Sequence, residues 1–193
     1  MTCAGRAGET NSGMNVVLYA AQSLDGWITR HAVAGDSFTS AADKAHFRAA
    51  IRGCDACVMG AATYEQSKER MRPEAFPELR RVVWTRTPRA AERVAEAVAG
   101  VLEFTDEAPA ETVARLRADG RRRCALLGGG QVNAAWLAAG LVDEVCVTVE
   151  SRIFGVGTPL AGPGWALGVE LALIEVKTLA PEGPVLLRYA VKK

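Results

Sequence analysis

Short apolar, β-branched runs alternate with amphipathic helical stretches along most of this chain, and that alternation limits the possible folds more than any other feature. Strands are expected at residues 16–21, 56–59, 81–85, 101–104 and 124–127. Helices are expected at 40–52, 63–70, 92–98, 110–118 and 131–139. Ser40 stands as an N-cap with Asp43 three residues on, in the manner of a capping box, and Gly53 follows as a natural stop. After residue 140 the helices cease. Residues 144–150 alternate, with Val145, Val147 and Val149 on one face. Residues 171–179 and 185–191 flank the turn cluster Pro181-Glu182-Gly183-Pro184 and read as an antiparallel hairpin. Strand–helix alternation implies a three-layer α/β/α domain with a mostly parallel central sheet, here with an antiparallel C-terminal hairpin at its edge.

The 193 residues are enough for one domain with a sizeable core. Residues 1–13 are small, polar and Gly-rich and read as a disordered lead-in, leaving 14–193 as the domain. A net charge of +1 carries no basic excess and argues against a nucleic-acid binder. Arg121-Arg122-Arg123 reads as a solvated turn before a strand. No apolar stretch reaches the roughly 18–20 residues of a membrane helix, and the first residues lack the apolar core of a signal peptide. Five cysteines without a secretion signal imply reduced thiols in a cytoplasm. Cys54 and Cys57 have C-x-x-C spacing, but no second pair or histidine pair completes a metal site.

Ligands of open α/β sheets sit at the carboxyl ends of the strands, so four loops matter most. In the first, Ser23-Leu24-Asp25-Gly26-Trp27-Ile28, Asp25-Gly26 is a turn signal. Asp25 beside a large aromatic could equally orient a polar heterocycle. In the second, Gly60 allows a ligand close to the backbone, and Thr63 can cap a helix and offer its hydroxyl to a phosphate. In the third, Thr85 and Arg86 end a strand, and Arg86 could fork onto a phosphate or lie in a solvated turn. In the fourth, Gly128-Gly129-Gly130-Gln131-Val132 joins a buried strand to a helix. This reads as a phosphate loop by its backbone N–H groups and helix dipole, with a mere tight turn as the alternative, and it is neither a P-loop nor a G-x-G-x-x-G fingerprint. His46 reads as a surface or packing residue, and His31 as lining the pocket mouth.

Taken in order, these segments resemble the reductase domain of the bifunctional riboflavin-biosynthesis deaminase–reductases, and more distantly dihydrofolate reductases. Ser23-Leu24-Asp25-Gly26 is similar to that family's S-L-D-G signature. Phe38-Thr39-Ser40 with Asp43 resembles its W-I-T-S-x-x-D segment. Residues 52–63 resemble R-x-x-x-D-A-I-L-V-G-x-x-T, Gly128 to Glu144 resembles G-G-x-x-L…A-G-L-V-D-E, and residues 154–160 match L-G-x-G-x-P-L. The family's N-P-x-L-T-V-R segment has no counterpart in residues 65–78. Leu127 stands where the family usually has Glu before its paired glycines, and the zinc signature of the deaminase half is absent.

The resemblance implies a dihydrofolate-reductase-like fold, NADPH as hydride donor, a cytoplasmic enzyme and a homodimer. It implies that Gly128, Gly129, Gly130, Gln131 and Val132 hold the pyrophosphate. Gly60 and Thr63 would flank the cofactor, Thr85 and Arg86 would receive the 2′-phosphate, and Ile28 would touch the nicotinamide. Asp25 would be the catalytic group facing the substrate, with Ser23, Trp27, Phe38 and Thr39 around it. The acceptor would be a diaminopyrimidine ribosylamino phosphate or a related pterin-like heterocycle. A non-catalytic, dimeric nucleotide-binding module of the same fold is the alternative reading.

Overall fold

The structure, a computed structural model, describes residues 13–30 and 37–193. Its elements in order are β1 (Asn15–Ser23), α1 (Ala41–Arg52), β2 (Ala56–Gly60), α2 (Ala61–Ser67), β3 (Arg80–Trp84), α3 (Ala91–Glu96) and β4 (Leu102–Thr105). These are followed by α4 (Pro109–Ala118), β5 (Arg123–Leu126), α5 (Gly130–Ala138), β6 (Glu144–Glu150), β7 (Leu171–Thr178) and β8 (Val185–Val191). The strands form one eight-stranded sheet in the order β4-β3-β2-β5-β1-β6-β8-β7. The first six are parallel. β8 runs antiparallel to both β6 and β7, so the expected parallel sheet with an antiparallel hairpin is the fold found.

Alternation within the strands fills both faces of the sheet. Val16 and Leu18 of β1 join Val58, Leu126 and the helix residues Val113, Leu116 and Trp136 in one core. Val17 and Tyr19 join Cys57, Met59, Val83 and the helix residues Ile51 and Tyr64 in the other. Burial on both faces explains why these runs are continuously apolar. α5 is apolar nearly all round and its Trp136 is fully buried.

Local signals were correct about position and less complete about partners. Ser40 caps α1, its hydroxyl accepting from the Asp43 N–H at 3.1 Å. The other half of the expected capping box comes from Glu150, at the end of β6, whose carboxylate accepts the Ser40 N–H at 2.7 Å. The arginine run is more than a solvated turn. Asp55 accepts the N–H groups of Arg122 and Arg123 at 2.7 and 3.1 Å, and Arg123 donates to the Tyr19 hydroxyl at 3.2 Å. Cys54, Cys57, Cys124 and Cys146 are free and buried. Desolvation pushes the Cys57 thiol up to about 12 and Cys146 up to about 11, which makes them poor nucleophiles at neutral pH. His31 and residues 1–12 lie outside the described residues. Among the described residues no helix is long and apolar enough to cross a membrane.

Candidate active site

Because β1 to β6 run the same way, their carboxyl ends share one edge of the sheet, and a cleft of about 1020 Å³ lies along it. That volume is at the upper end of roughly 300–1,000 Å³ for small-molecule sites. Ile28, Phe38, Thr39, Gly60, Thr63, Thr85, Arg86, Gly129, Gly130, Gln131 and Val132 all line it. Three of the four loops therefore converge on one space, together with Ile28 from the far end of the first loop.

The glycine turn forms one wall. Gly128 takes φ +81°, a conformation that L side chains rarely adopt. Its carbonyl accepts the Gly60 N–H at 2.6 Å, which ties the second and fourth loops together. A Cβ on Gly130 would lie 2.6 Å from the Pro159 carbonyl oxygen, so that glycine makes room for another part of the chain. Gly129 occupies the N-cap position of α5 without a side-chain cap. Among the described residues no acceptor engages the N–H groups of Gly130, Gln131 and Val132. They are the open donors of a nine-residue helix at a positive dipole end, a setting that favours an anion by about 0.3–1 kcal/mol when exposed and up to about 2 when partly buried.

The third loop supplies a cation. Thr85 is fixed to β4 by its N–H, which donates to the Thr105 carbonyl at 2.9 Å. Arg86 is exposed at the cleft and makes no ion pair among the described residues. Trp84 is held at the rim by its indole N–H, which donates to the Glu107 carbonyl at 2.8 Å. Thr63 does not cap α2, as its spacing suggested. The helix starts two residues earlier, with Gly60 as N-cap and no side-chain cap bond, and Thr63 lies in its first turn beside the cleft.

The first loop departs most from expectation. Ser23, Asp25 and Trp27 do not line the cleft, and neither does Gly128. The Asp25 carboxylate accepts the Ser23 hydroxyl at 2.6 Å and the backbone N–H groups of Phe154 and Gly155 at 3.1 and 2.7 Å. Those donors, the Ser23 hydroxyl foremost, hold its carboxyl at about 2. A group so acidic is a carboxylate at neutral pH and a poor proton donor. Asp25 is thus engaged by the amides and hydroxyl around its own turn, outside the lining of the cleft.

Several lining residues escaped sequence reasoning. α1 contributes Lys44, His46 and Phe47, so His46, read above as surface or packing, faces the cleft with its Nε2 3.9 Å from the Cys146 sulfur. Asp106 enters from the end of β4, Thr148 from β6, and Trp165 from the segment before β7. The rule that pointed to four strand ends applies equally to β4 and would have found Asp106. Trp165 carries no local signal.

Comparison with known proteins gives the same picture. The model of the RibD C-terminal domain family matches residues 14–183. A putative riboflavin biosynthesis protein from Shewanella is similar over 93% of this chain and 100% of its own, with a TM-score of 0.73 at 21% identity. A pyrimidine reductase-like protein from Corynebacterium diphtheriae is similar over 93% and 92%, with a TM-score of 0.72 at 18% identity. The diaminohydroxyphosphoribosylaminopyrimidine deaminase/5-amino-6-(5-phosphoribosylamino)uracil reductase of Thermotoga maritima has a TM-score of 0.75 at 18% identity. There this chain is matched over 95% of its length but spans only 58% of the other. No curated protein matches the chain. The shared architecture is dihydrofolate-reductase-like, and the chain belongs to the RibD C-terminal domain family.

Proposed function

We propose that this protein is an NADPH-dependent reductase acting on a diaminopyrimidine ribosylamino phosphate or a related pterin-like heterocycle. One observation carries the reading: one cleft joins the open N–H groups of α5, Arg86 with no ion pair among the described residues, and the apolar Ile28. These residues fit a phosphorylated dinucleotide. Gly130, Gln131 and Val132 would hold the pyrophosphate, with Gly60 and Thr63 beside it, and Thr85 and Arg86 would take the 2′-phosphate. Ile28 would lie against the nicotinamide, which supplies the hydride when bound. Phe38 and Phe47 line the same cleft and offer aromatic surface to a planar acceptor, with the polar Thr39 beside Phe38. The protein's contribution is to align donor and acceptor and to exclude water. In this reading Asp25, with Ser23, keeps the first loop in place, and Trp27 lies in that same turn.

Saturable quenching of tryptophan emission by NADPH tests the cofactor site, since Trp84 and Trp165 line the cleft. Binding that favours NADPH over NADH, and loses that preference in Arg86→Ala, supports the assignment. No saturable binding of either nucleotide overturns it.

The same fold used as a non-catalytic nucleotide-binding dimer is the second reading. Leu127 in place of Glu and the engagement of Asp25 with backbone amides favour it. Bound NADPH without turnover of any pyrimidine or pterin would select it. In both readings the protein is a homodimer, supported by the exposed Leu171, Leu173 and Val176 on the edge strand β7.

A further inference from the structure

Residues 152–165 cross from one wall of the cleft to the other, and their contacts are more numerous than a connecting loop requires. At the first wall, Leu24 N–H donates to the Arg152 carbonyl at 2.7 Å, and Asp25 takes the amides of Phe154 and Gly155. Ile28 N–H then donates to the Thr158 carbonyl at 2.8 Å, and Thr158 N–H to the Thr29 hydroxyl at 2.9 Å. Gly157 is pressed so close that a Cβ there would lie 2.0 Å from the Thr29 carbonyl oxygen. At the second wall, Asn133 Nδ2 donates to the Leu160 carbonyl at 2.8 Å, and Gly162 N–H to the Gly130 carbonyl at 2.8 Å. The Gln131 side chain bridges Pro163 and Trp165: its Nε2 donates to the Pro163 carbonyl at 3.3 Å, and its Oε1 accepts the Trp165 indole N–H at 3.2 Å.

We infer that residues 152–165 are a strap belonging to the site itself, anchored at Asp25, which fixes the separation of the Ile28 wall from the glycine turn and presents Trp165 to the ligand. Asp25 is then a positioning residue, acting on the cleft through Thr158 and Gly162. The strap bonds to the Ile28 wall, where the nicotinamide would lie, and its Phe154 ring packs edge-on against Phe38 on the acceptor side with centroids 5.1 Å apart. Small errors of alignment between the two are costly: about 10²-fold in rate for a misplacement of 1 Å. Trp165 is half-exposed, faces the cleft and is oriented by the same Gln131 whose backbone N–H is open to an anion. An aromatic plane so held suits the flat face of a nucleotide base or nicotinamide ring.

The identity of the ligand rests on the reductase reading; the mechanical coupling does not. Hydrogen exchange on the full chain tests the coupling alone. In Asp25→Ala, exchange is expected to rise at Gly162 as well as at Phe154 and Gly155, and in Gln131→Ala it is expected to rise at Ile28. Changes confined to the residues next to each substitution overturn the strap. Should Asp25→Ala fail to fold, Ser23→Ala removes one bond from the same carboxylate and carries the measurement. NADPH titration tests the consequence for the site. Asp25→Asn keeps one acceptor oxygen but sets an NH2 donor against an amide that the other oxygen held, so it is expected to lose more affinity than Ser23→Ala and no more than Asp25→Ala. Unchanged affinity in Asp25→Ala overturns anchoring of the site at Asp25. Trp165→Ala is expected to weaken binding, and an unchanged affinity removes Trp165 from the site. Failure of the unaltered protein to bind NADPH would defeat the reductase reading, and the exchange pattern would still decide the strap.

Discussion

The turn after β1 and the turn after β5 begin alike: each leaves a buried parallel strand, and each carries glycine. Their fates differ. At Gly128–Gly130 the backbone donors of α5 remain open to the cleft. At Ser23–Trp27 the polar group of interest, Asp25, is turned onto the protein's own amides. Position at a carboxyl edge is thus a necessary feature of a site residue in this fold and not a sufficient one. What decides is whether the chain supplies its own partner first. An anion meets three backbone and hydroxyl donors at the first turn, while the donors at the second meet no acceptor among the described residues.

The sharpest way to break this contrast is at Gly130. Gly130→Val places side-chain carbon where the Pro159 carbonyl sits 2.6 Å away. Overpacking of this kind costs about 1–3 kcal/mol, and a thermal melt should show it together with loss of NADPH binding. A variant that melts normally and binds NADPH would show that the turn can move freely of the strap. Next in size is Arg86→Ala. Loss of a charge-assisted hydrogen bond costs about 1.5–3 kcal/mol, so NADPH affinity should fall by one to two orders of magnitude while NADH affinity holds. Equal losses for both nucleotides would move Arg86 away from the 2′-phosphate.

Asp25 gives a smaller and pH-dependent effect. Its folded carboxyl is depressed from 3.8 to about 2. Its stabilising contribution is therefore complete above about pH 4 and is lost as pH falls through 2. Asp25→Asn should flatten that part of an acid-unfolding curve, and an unchanged curve would show the carboxylate free in solution. The smallest effect concerns the thiols. Burial raises Cys54, Cys57, Cys124 and Cys146, so maleimide labelling of these four at neutral pH should be slow until the protein is denatured. Rapid labelling of Cys57 in the folded state would revive the C-x-x-C pair as a reactive motif.

Most of the architecture was legible because the strands are buried on both faces and the helices carry ordinary start and stop residues. β2, β6 and β8 fall within a residue of their expected bounds. The cleft was legible to the extent that its residues follow strand ends, as Arg86 and Gly130 do. What sequence could not disclose were partners distant along the chain. Glu150 completes the cap at Ser40 across 110 residues, and Phe154 and Gly155 meet Asp25 across 129 and 130. Spacing within a segment records what that segment can offer. It does not record who arrives to accept it.

The place of β8 between β6 and β7 bears on the order of assembly. β7 bonds to β8 and makes no ladder with β6. During synthesis β7 emerges before its native partner, and β6 keeps one side of its backbone unpaired until residues 185–191 arrive. The sheet is closed by a late strand inserted next to one made some forty residues earlier, a non-local contact of the kind that slows folding. Until then two adhesive surfaces, the free flank of β6 and the apolar β7, stand open to pairing with other chains. For this protein, protection of nascent chains should matter most in the interval before β8 is complete.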